Sequence, residues 1–326
     1  MQSEHEQRAN LIREQWLHAL RTRRRIGARR TGAPLAGVRP DTDEALGLRA
    51  TRAILWGSLV LPDFAGKWRV VTALQRRLAA GEAGERVVTR QGLNWQLDPT
   101  DFPHYDLFWY GYKERWETLH VLNNLTAGAT IFDVGANFGY YAIVLASVLG
   151  PDARVHAFEP NPPTFARLQK NVALNHCSNI AVHAFGLSDT EGETGIQTRD
   201  GNSGVAQLVE GSGVPVRPLD AIAAEAGLDR LDFVKIDVEG FEERVLVGGA
   251  TSFARFRPLV LIELNPPYLA RAGSSVERIA KLFADWSYRL YVPARDKLVP
   301  LDKLPTGDNY VNALAAHRDA PIKTAV

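Results

Sequence analysis

From Thr130 to the C-terminal region, short apolar segments alternate with segments of helical periodicity. This rhythm requires a mostly parallel sheet with helices on both faces, because neighbouring parallel strands need helical crossovers. In such sheets ligands bind at the carboxyl ends of the strands, near a switch in strand order. The predicted strands cover residues 130–134, 154–158, 179–184, 232–237, 259–264, 289–292 and 309–315. The predicted helices cover residues 138–149, 162–175, 218–226, 241–248 and 276–286.

Three regions are distinguishable along the chain. Residues 1–50 form an Arg-rich arm, with a predicted helix over residues 4–25 followed by a Gly- and Pro-containing linker. Residues 51–125 form an accessory, substrate-side region. Residues 126–326 form the α/β domain, so the fold class is α/β with a mostly helical N-terminal extension. In the accessory region we expect helices at residues 51–61, 67–80 and 115–125. We expect a hairpin at Arg86–Leu97.

Composition narrows the function classes. The formal net charge is +1, so the overall charge does not indicate a polyanionic partner such as nucleic acid. The single cysteine, Cys177, excludes an intramolecular disulfide framework and a Cys-rich zinc site, and it agrees with a reducing compartment. The N-terminus is polar, and the apolar run at residues 53–61 is well short of the ~20 residues of a membrane span. We therefore expect a soluble, cytoplasmic protein without a transmembrane segment.

The arm allows two interpretations. A basic amphipathic helix can bind a membrane surface or nucleic acid. A solvated helix or a dimer contact is the commoner case, and we favour it, which predicts a homo-oligomer through this arm and no nucleic-acid partner.

A glycine-containing turn follows the first strand of the α/β domain. Asp133 ends the strand, and Gly135 and Gly139 bracket the turn into a helix. Glycines permit unusual φ angles and close approach of a ligand, and the helix start offers free N–H groups. The spacing D-x-G-x-x-x-G differs from the dinucleotide fingerprint G-x-G-x-x-G. An ordinary glycine turn remains the alternative.

Acidic residues end the following strands. Glu159 closes the second strand, where a carboxylate can accept both hydroxyls of a ribose. Ser188 and Asp189 follow the third strand and could contact an adenine edge, although by itself this is a common turn. Glu159 could instead be a helix N-terminal acid favoured by the helix dipole.

Further charges end the fourth and fifth strands. They are Lys235, Asp237, Glu239 and Glu263. Burying charged groups costs free energy unless they are paired, which indicates that they are used. A structural ion-pair cluster is the alternative.

These motifs, in this order, resemble the FkbM family of class I S-adenosylmethionine (SAM)-dependent methyltransferases. The segments that carry the resemblance are residues 133–139, Phe158–Asn161, Leu187–Asp189, Lys235–Gly240 and Ile262-Glu263. The resemblance covers about residues 105–292. It implies a Rossmann-like sheet of seven strands with the last one antiparallel, SAM at the carboxyl edge, and O-methylation of a sugar, glycoside, polyketide or related metabolite.

The resemblance also implies roles for individual residues. It implies that the methionine end of SAM is bound by four residues at the glycine turn, Asp133, Gly135, Asn137 and Gly139. It implies that Glu159 binds the ribose, with Pro160 and Asn161 beside it. It also implies that Ser188 and Asp189 contact the adenine. It further implies that Asp237 and Glu239 lie beside the reacting centre and that Asp237 also contacts the cofactor. The family's Tyr-Glu pair is interrupted here by Lys113, which leaves open whether Glu114 or Glu117 faces the methionine amine.

A hydroxyl acceptor needs a general base. The candidates are Asp237, Glu239, Glu263 and His104, with Asp237 ranked first. An alternative arrangement holds Mg²⁺ on Asp237, Glu263 and Asn265, because hard cations take carboxylate and amide oxygens. The acceptor is a small molecule or glycan, and the polar insert at residues 199–204 is predicted to lie over its site.

Other functions remain as alternatives. A non-catalytic SAM-binding protein would have no need of the acids at Asp237, Glu239 and Glu263. An oxidoreductase is disfavoured by the missing dinucleotide fingerprint. An amino-methyltransferase would use Asn265-Pro266-Pro267-Tyr268, but that tetrapeptide follows the fifth predicted strand rather than the fourth.

Overall fold

The computed structural model describes Glu14, residues 84–199 and residues 202–325. Apart from Glu14, the predicted arm lies outside these residues, as do the helices expected over residues 51–61 and 67–80. The chain divides into two compact units at Glu114 and Arg115, with Glu14–Glu114 in one unit and Arg115–Val326 in the other. The division of the chain into regions 1–50, 51–125 and 126–326 stays a prediction.

The described part of the first unit contains the predicted hairpin. Strands β1 (Arg86–Arg90) and β2 (Leu93–Leu97) pair in antiparallel register. Gln91 and Gly92 both have positive φ angles, 51° and 78°, which is the backbone of a tight two-residue hairpin turn. A short helix follows, α1 (Tyr105–Tyr110), and the Arg90 guanidinium donates to the Phe108 carbonyl at 3.0 and 2.9 Å.

The second unit alternates helices and strands, as the sequence predicts. Its helices are α2 (Arg115–Asn124), α3 (Tyr140–Leu149), α4 (Pro162–Leu174), α5 (Leu219–Glu225), α6 (Glu242–Gly248), α7 (Ala250–Phe256), α8 (Pro266–Arg271) and α9 (Val276–Asp285). Its strands are β3 (Thr130–Val134), β4 (Arg154–Phe158), β5 (Ile180–His183), β6 (Gly186–Ser188), β7 (Gly192–Arg199), β8 (Asn202–Pro218), β9 (Phe233–Ile236), β10 (Leu259–Leu264), β11 (Tyr288–Pro293), β12 (Leu298–Pro300) and β13 (Val311–His317).

The main sheet has the order β12-β11-β13-β10-β9-β3-β4-β5. The strands from β10 to β5 are parallel, and β13 lies antiparallel between β10 and β11. This confirms the predicted class I sheet with its last strand reversed. The short strand β12 adds an eighth, antiparallel edge beside β11.

Burial explains the strand pattern. Every residue of β3 and β9 is buried, because helices cover both faces of the sheet. On one face Phe132 and Val134 pack with Val245 of α6 and Phe283 of α9. On the other face the apolar helix α3 packs against β3, β4 and β5. Because side chains alternate along a strand, Asp133 and Lys235 point to the α3 side.

The polar insert lies where strands β7 and β8 meet, and these strands form a second hairpin. Strands β7 and β8 pair in antiparallel register, and β6 joins β8 to make a small second sheet. Val214 and Val216 of β8 are buried in a cluster with Phe241, against which Val238 packs. The insert is therefore anchored to the segment that follows β9. None of the helices in the described ranges combines the length and the apolar character needed to span a bilayer.

Candidate active site

The turn after β3 has an unusual backbone. Gly135, Asn137 and Gly139 all have positive φ angles, of 77°, 50° and 94°. The N–H groups of Gly135 and Ala136 both donate to the Phe158 carbonyl, at 3.1 and 2.9 Å. These bonds fix the turn to the end of β4, where the next candidate residue lies.

Packing and the positive φ angles together favour glycine at both positions. A Cβ atom on Gly135 would lie 1.9 Å from the Asp237 carbonyl oxygen, and one on Gly139 would lie 2.7 Å from Leu168 Cδ1. The first distance is far below van der Waals contact. The turns after β3 and β9 therefore touch backbone to backbone, and only glycine fits between them.

Asp133 is engaged inside the protein. Its side chain is 1% exposed, and its Oδ2 accepts a hydrogen bond from the Ala142 N–H at 2.9 Å. The Lys235 ammonium lies 3.9 Å from its Oδ1. Asp133 thus satisfies one of the free N–H groups at the start of α3. Its direct contact with the methionine end of SAM stays a prediction.

Glu159 presents a carboxylate at the end of β4. Its Oε2 accepts from the Asn137 N–H at 2.9 Å and its Oε1 from the Asn161 N–H at 3.0 Å. Burial raises the pKa of this carboxyl to about 7, against the lowering effect of the two backbone hydrogen bonds. Each carboxylate oxygen has two lone pairs, so each retains an acceptor direction beyond the backbone bond. Two such directions fit the two hydroxyls of a ribose.

Asn161 and Pro160 stand where α4 begins. Asn161 is the N-cap residue, its Nδ2 donates to Thr164 Oγ1 at 2.9 Å, and it is 7% exposed. Pro160 is half-buried beside Glu159. Through its backbone N–H, Asn161 holds the orientation of the Glu159 carboxylate.

The predicted adenine-side residues follow β5. Ser188 is buried, and its hydroxyl donates to Asp189 Oδ1 at 2.9 Å. Arg244 lies 3.9 Å from the same carboxylate. A Cβ on Gly248 would lie 2.0 Å from the Ser188 carbonyl oxygen, so α6 packs directly onto this segment. Contact of Ser188 and Asp189 with adenine stays a prediction.

Lys235 connects the glycine turn after β3 with Asp237 after β9. The residue is 4% exposed, and its ammonium donates to Asp237 Oδ2 at 3.1 Å and to the Gly135 carbonyl at 3.4 Å. It also lies 5.6 Å from the centre of the Tyr141 ring. The ammonium compensates the charge of Asp237 and holds its side chain against the glycine turn.

Three carboxylates converge at the ends of β9 and β10. Asp237, Glu239 and Glu263 each offer an oxygen, and these atoms lie within 4.8 Å of one another. All three residues are partly exposed. Strands β9 and β10 are paired neighbours, which brings their carboxyl ends together. The structure thus brings together the three acids that the sequence predicted for the reacting centre, defined here as the acid cluster.

The metal alternative named Asn265 as a ligand. The structure places Asn265 at the N-cap of α8, and the third acid near Asp237 and Glu263 is Glu239. The following residues, Pro266 and Pro267, occupy the first turn of α8, which is a favoured position for proline. The tetrapeptide Asn265–Tyr268 follows β10, as the sequence placed it.

Two candidates belong to the other compact unit. His104 is fully buried there, and its Nδ1 lies 3.1 Å from the Asp98 backbone N. Glu114 forms an ion pair with Lys113 at 2.9 Å. The predicted roles of His104 as a base and of Glu114 at the methionine amine stay predictions.

The sequence reasoning missed Glu242. Its side chain is 1% exposed, and burial raises the pKa of its carboxyl to about 7. Its oxygens accept from the Val238 N–H at 3.0 Å and from the Gly240 N–H at 3.0 Å. The sequence offers a weak signal, since Glu242 directly follows the motif Lys235–Gly240. Glu243 lies one residue further along, so the sequence alone does not distinguish it from Glu242.

Part of the chain is similar in sequence to known methyltransferases. The family model of the methyltransferase FkbM domain matches residues 133–290. The hexuronic acid methyltransferase AglP of Haloferax volcanii is 27% identical, over 48% of this chain and 61% of that protein. The 31-O-demethyl-FK506 methyltransferase FkbM of Streptomyces tacrolimicus is 31% identical, over 38% of this chain and 60% of that protein.

The chain thus spans about three fifths of the length of these two relatives. A crystal structure of methyltransferase FkbM from Methylobacillus flagellatus aligns at 18% identity and a TM-score of 0.40, over 82% of this chain and 58% of that one. The matched segment begins at Asp133 and includes the glycine turn, Glu159 and the acids at Asp237 and Glu263. Residues 133–290, which contain these motifs, are thus similar to the FkbM methyltransferase domain.

Proposed function

We propose that this chain is a SAM-dependent O-methyltransferase whose acceptor is a hydroxyl on a sugar, glycoside, polyketide or related metabolite. The observation that carries the proposal is the acid cluster beside the glycine turn. Lys235 bonds both Gly135 and Asp237, so the cluster lies next to the predicted methionine end of SAM. The family match and two O-methyltransferase relatives, FkbM and the 2-O-methyltransferase NoeI of Sinorhizobium fredii, support the same reaction.

The cofactor supplies a methyl group already activated by a sulfonium charge. The protein's tasks are to align the acceptor oxygen in line with the S–CH₃ bond, to exclude water and to remove the hydroxyl proton. Alignment of this kind supplies ~7–11 kcal/mol of the barrier reduction. Methyl transfer to the acceptor oxygen would release S-adenosylhomocysteine, and the hydroxyl proton would pass to a carboxylate of the acid cluster.

Glu239 and Glu263 are the proposed proton acceptors. Asp237 is held by the Lys235 ammonium, which compensates one of the three negative charges of the cluster. The remaining carboxylates repel each other at this spacing, and a bound proton relieves the repulsion. Asp237 then serves to orient the site, which revises the ranking of Asp237 as first candidate for the base.

A metal-assisted reaction is the second candidate, because three carboxylates within 4.8 Å can bind a hard cation. The Lys235 ammonium, 3.1 Å from Asp237 Oδ2, already supplies a positive charge there. We therefore propose proton transfer to Glu239 or Glu263 without Mg²⁺.

The test uses the purified full chain and SAM with a radiolabelled methyl group. The acceptor panel contains neutral glycosides, a uronic acid glycoside, a macrolide alcohol and a primary amine. We expect label to appear on a hydroxyl, together with stoichiometric S-adenosylhomocysteine. Label on the amine would contradict O-methylation. Binding of S-adenosylhomocysteine without label transfer across the panel would favour the non-catalytic alternative.

A further inference from the structure

The turn after β9 bends the chain sharply. Glu239 has a φ angle of 55° and Gly240 one of 117°. Left-handed backbone is costly for a residue with a Cβ, so Glu239 keeps it only where its surroundings enforce it. The bend returns the Glu239 carboxylate toward Asp237 and Glu263.

The Glu242 carboxylate is hydrogen-bonded to the backbone of this bend. Its Oε1 accepts from the Val238 N–H at 3.0 Å and from the Gly240 N–H at 3.2 Å, and its Oε2 accepts from the same Gly240 N–H at 3.0 Å. These two N–H groups flank Glu239 on both sides. Hydrogen bonds to a charged acceptor are about twice as strong as neutral ones.

A second contact holds the same residue from the insert. Gln207 of β8 donates from Nε2 to the Glu239 carbonyl at 3.2 Å. On the far side of the turn, a Cβ on Gly240 would lie 2.7 Å from the Tyr268 carbonyl oxygen, so α8 closes that side. The backbone of Glu239 is thus fixed at its carbonyl and at both neighbouring amides.

We propose that Glu242 is a positioning residue for methyl transfer: it holds Glu239 in its left-handed conformation and so sets the spacing of the acid cluster. The inference rests on the proposed function, because it assigns the purpose of the positioning to proton removal. Glu242 itself is buried, and its oxygens point to backbone amides rather than into the site.

Glu242→Gln is the informative variant. It keeps the size of the side chain and one acceptor oxygen, but it places an NH₂ group against a backbone N–H. Glu242→Ala removes both acceptors. The matched control is Glu243→Gln, since Glu243 is the next residue of α6 and its carboxylate lies 2.7 Å from Arg278 Nη2 instead.

We expect kcat to fall in the order wild type, Glu242→Gln, Glu242→Ala. The loss should reach about 100-fold, the effect of displacing a catalytic group by about 1 Å. Affinity for S-adenosylhomocysteine, measured by calorimetry, should stay within about twofold of wild type. Hydrogen exchange of a peptide containing residues 237–241 should accelerate about tenfold or more in Glu242→Gln, because a charge-assisted bond is lost. The control should match wild type in all three measurements.

The outcomes separate the two proposals. If wild type transfers methyl groups and Glu242→Gln does so at the wild-type rate, Glu242 has no positioning role. Equal loss of cofactor affinity and kcat would also overturn the inference, since it would indicate general damage. If wild type transfers no methyl group, the proposed function fails, and hydrogen exchange still decides whether Glu242 fixes the turn.

Discussion

The two halves of the site use their acids differently. On the β3 and β4 side, Asp133 and Glu159 are buried and accept hydrogen bonds from backbone amides. On the β9 and β10 side, the acid cluster is partly exposed and its carboxylates crowd one another. Buried acids with fixed donors hold the backbone around them in one conformation. Crowded acids near solvent are suited to taking up and releasing a proton.

Removing both proposed proton acceptors should give the largest effect. In the double variant Glu239→Gln/Glu263→Gln, methyl transfer should fall by about 10²–10⁴-fold, the usual contribution of a general base. Affinity for S-adenosylhomocysteine should remain near wild type, because Glu159 is intact. Initial rates with labelled SAM and calorimetry measure the two quantities. Near-normal turnover would mean that neither Glu239 nor Glu263 removes the proton, and the proposed difference between the acid cluster and the β3–β4 side would be wrong.

The variant Glu159→Gln tests the β3 and β4 side of the site. The amide NH₂ must face a backbone N–H, at Asn137 or at Asn161, and one ribose acceptor is lost. Affinity for S-adenosylhomocysteine should fall by about 10- to 100-fold, since hydrogen bonds to charged groups contribute about 1.5–3 kcal/mol. Calorimetry with Glu243→Gln as control measures the loss. Unchanged affinity would mean that Glu159 does not bind the cofactor.

The raised pKa of Glu159 predicts a pH dependence of binding. Ribose hydroxyls donate hydrogen bonds and so favour the ionised carboxylate, whereas burial raises its pKa to about 7. Affinity for S-adenosylhomocysteine should therefore rise about tenfold between pH 6 and pH 8 in the wild type. In Glu159→Gln the affinity should be flat over that range. A wild-type affinity independent of pH would argue against a diol at this carboxylate.

The same shift predicts how folding stability depends on pH. The folded state binds the Glu159 proton more tightly than the unfolded state, in which the pKa has its ordinary value near 4.5. The stabilisation is complete below the unfolded value and is lost as the pH rises toward about 7. Denaturant titrations should show the unfolding free energy of the unliganded protein falling across this window. The fall should be shallower in Glu159→Gln.

The smallest expected effect is that of a chelator. With Lys235 supplying the positive charge at Asp237, EDTA should change the initial rate by less than about twofold. A matched assay with added Mg²⁺ completes the measurement. Abolition of activity by EDTA and its recovery with Mg²⁺ would assign the acid cluster to a metal ion instead.

Much of the fold follows from the sequence because most residues of the buried strands are apolar. Strand β3 coincides with its predicted bounds, and the hairpin turn follows from Gln91 and Gly92. The short elements escaped prediction. Strand β12 has three residues, and helix α8 has six.

The site was predictable only where position along the chain determines function. The acids that end strands β4, β9 and β10 meet at one edge because parallel strands end together. Glu242 was not predictable in this way. Glu242 and Glu243 are identical in type and adjacent, yet one is buried against the turn and the other pairs with Arg278. Only tertiary contacts distinguish them. Likewise, the left-handed backbone of Glu239 cannot be read from its residue type.

The contact between Gly135 and the Asp237 carbonyl has a consequence for engineering this protein. Since one hydrogen atom is all that fits between the two turns, neither turn can be reshaped without displacing the other. Variants with altered acceptor preference should therefore be sought in the β7–β8 insert, which contacts the turn after β9 through Gln207 and through Val214 and Val216. Libraries that randomise Gly135 should return almost exclusively glycine among active clones.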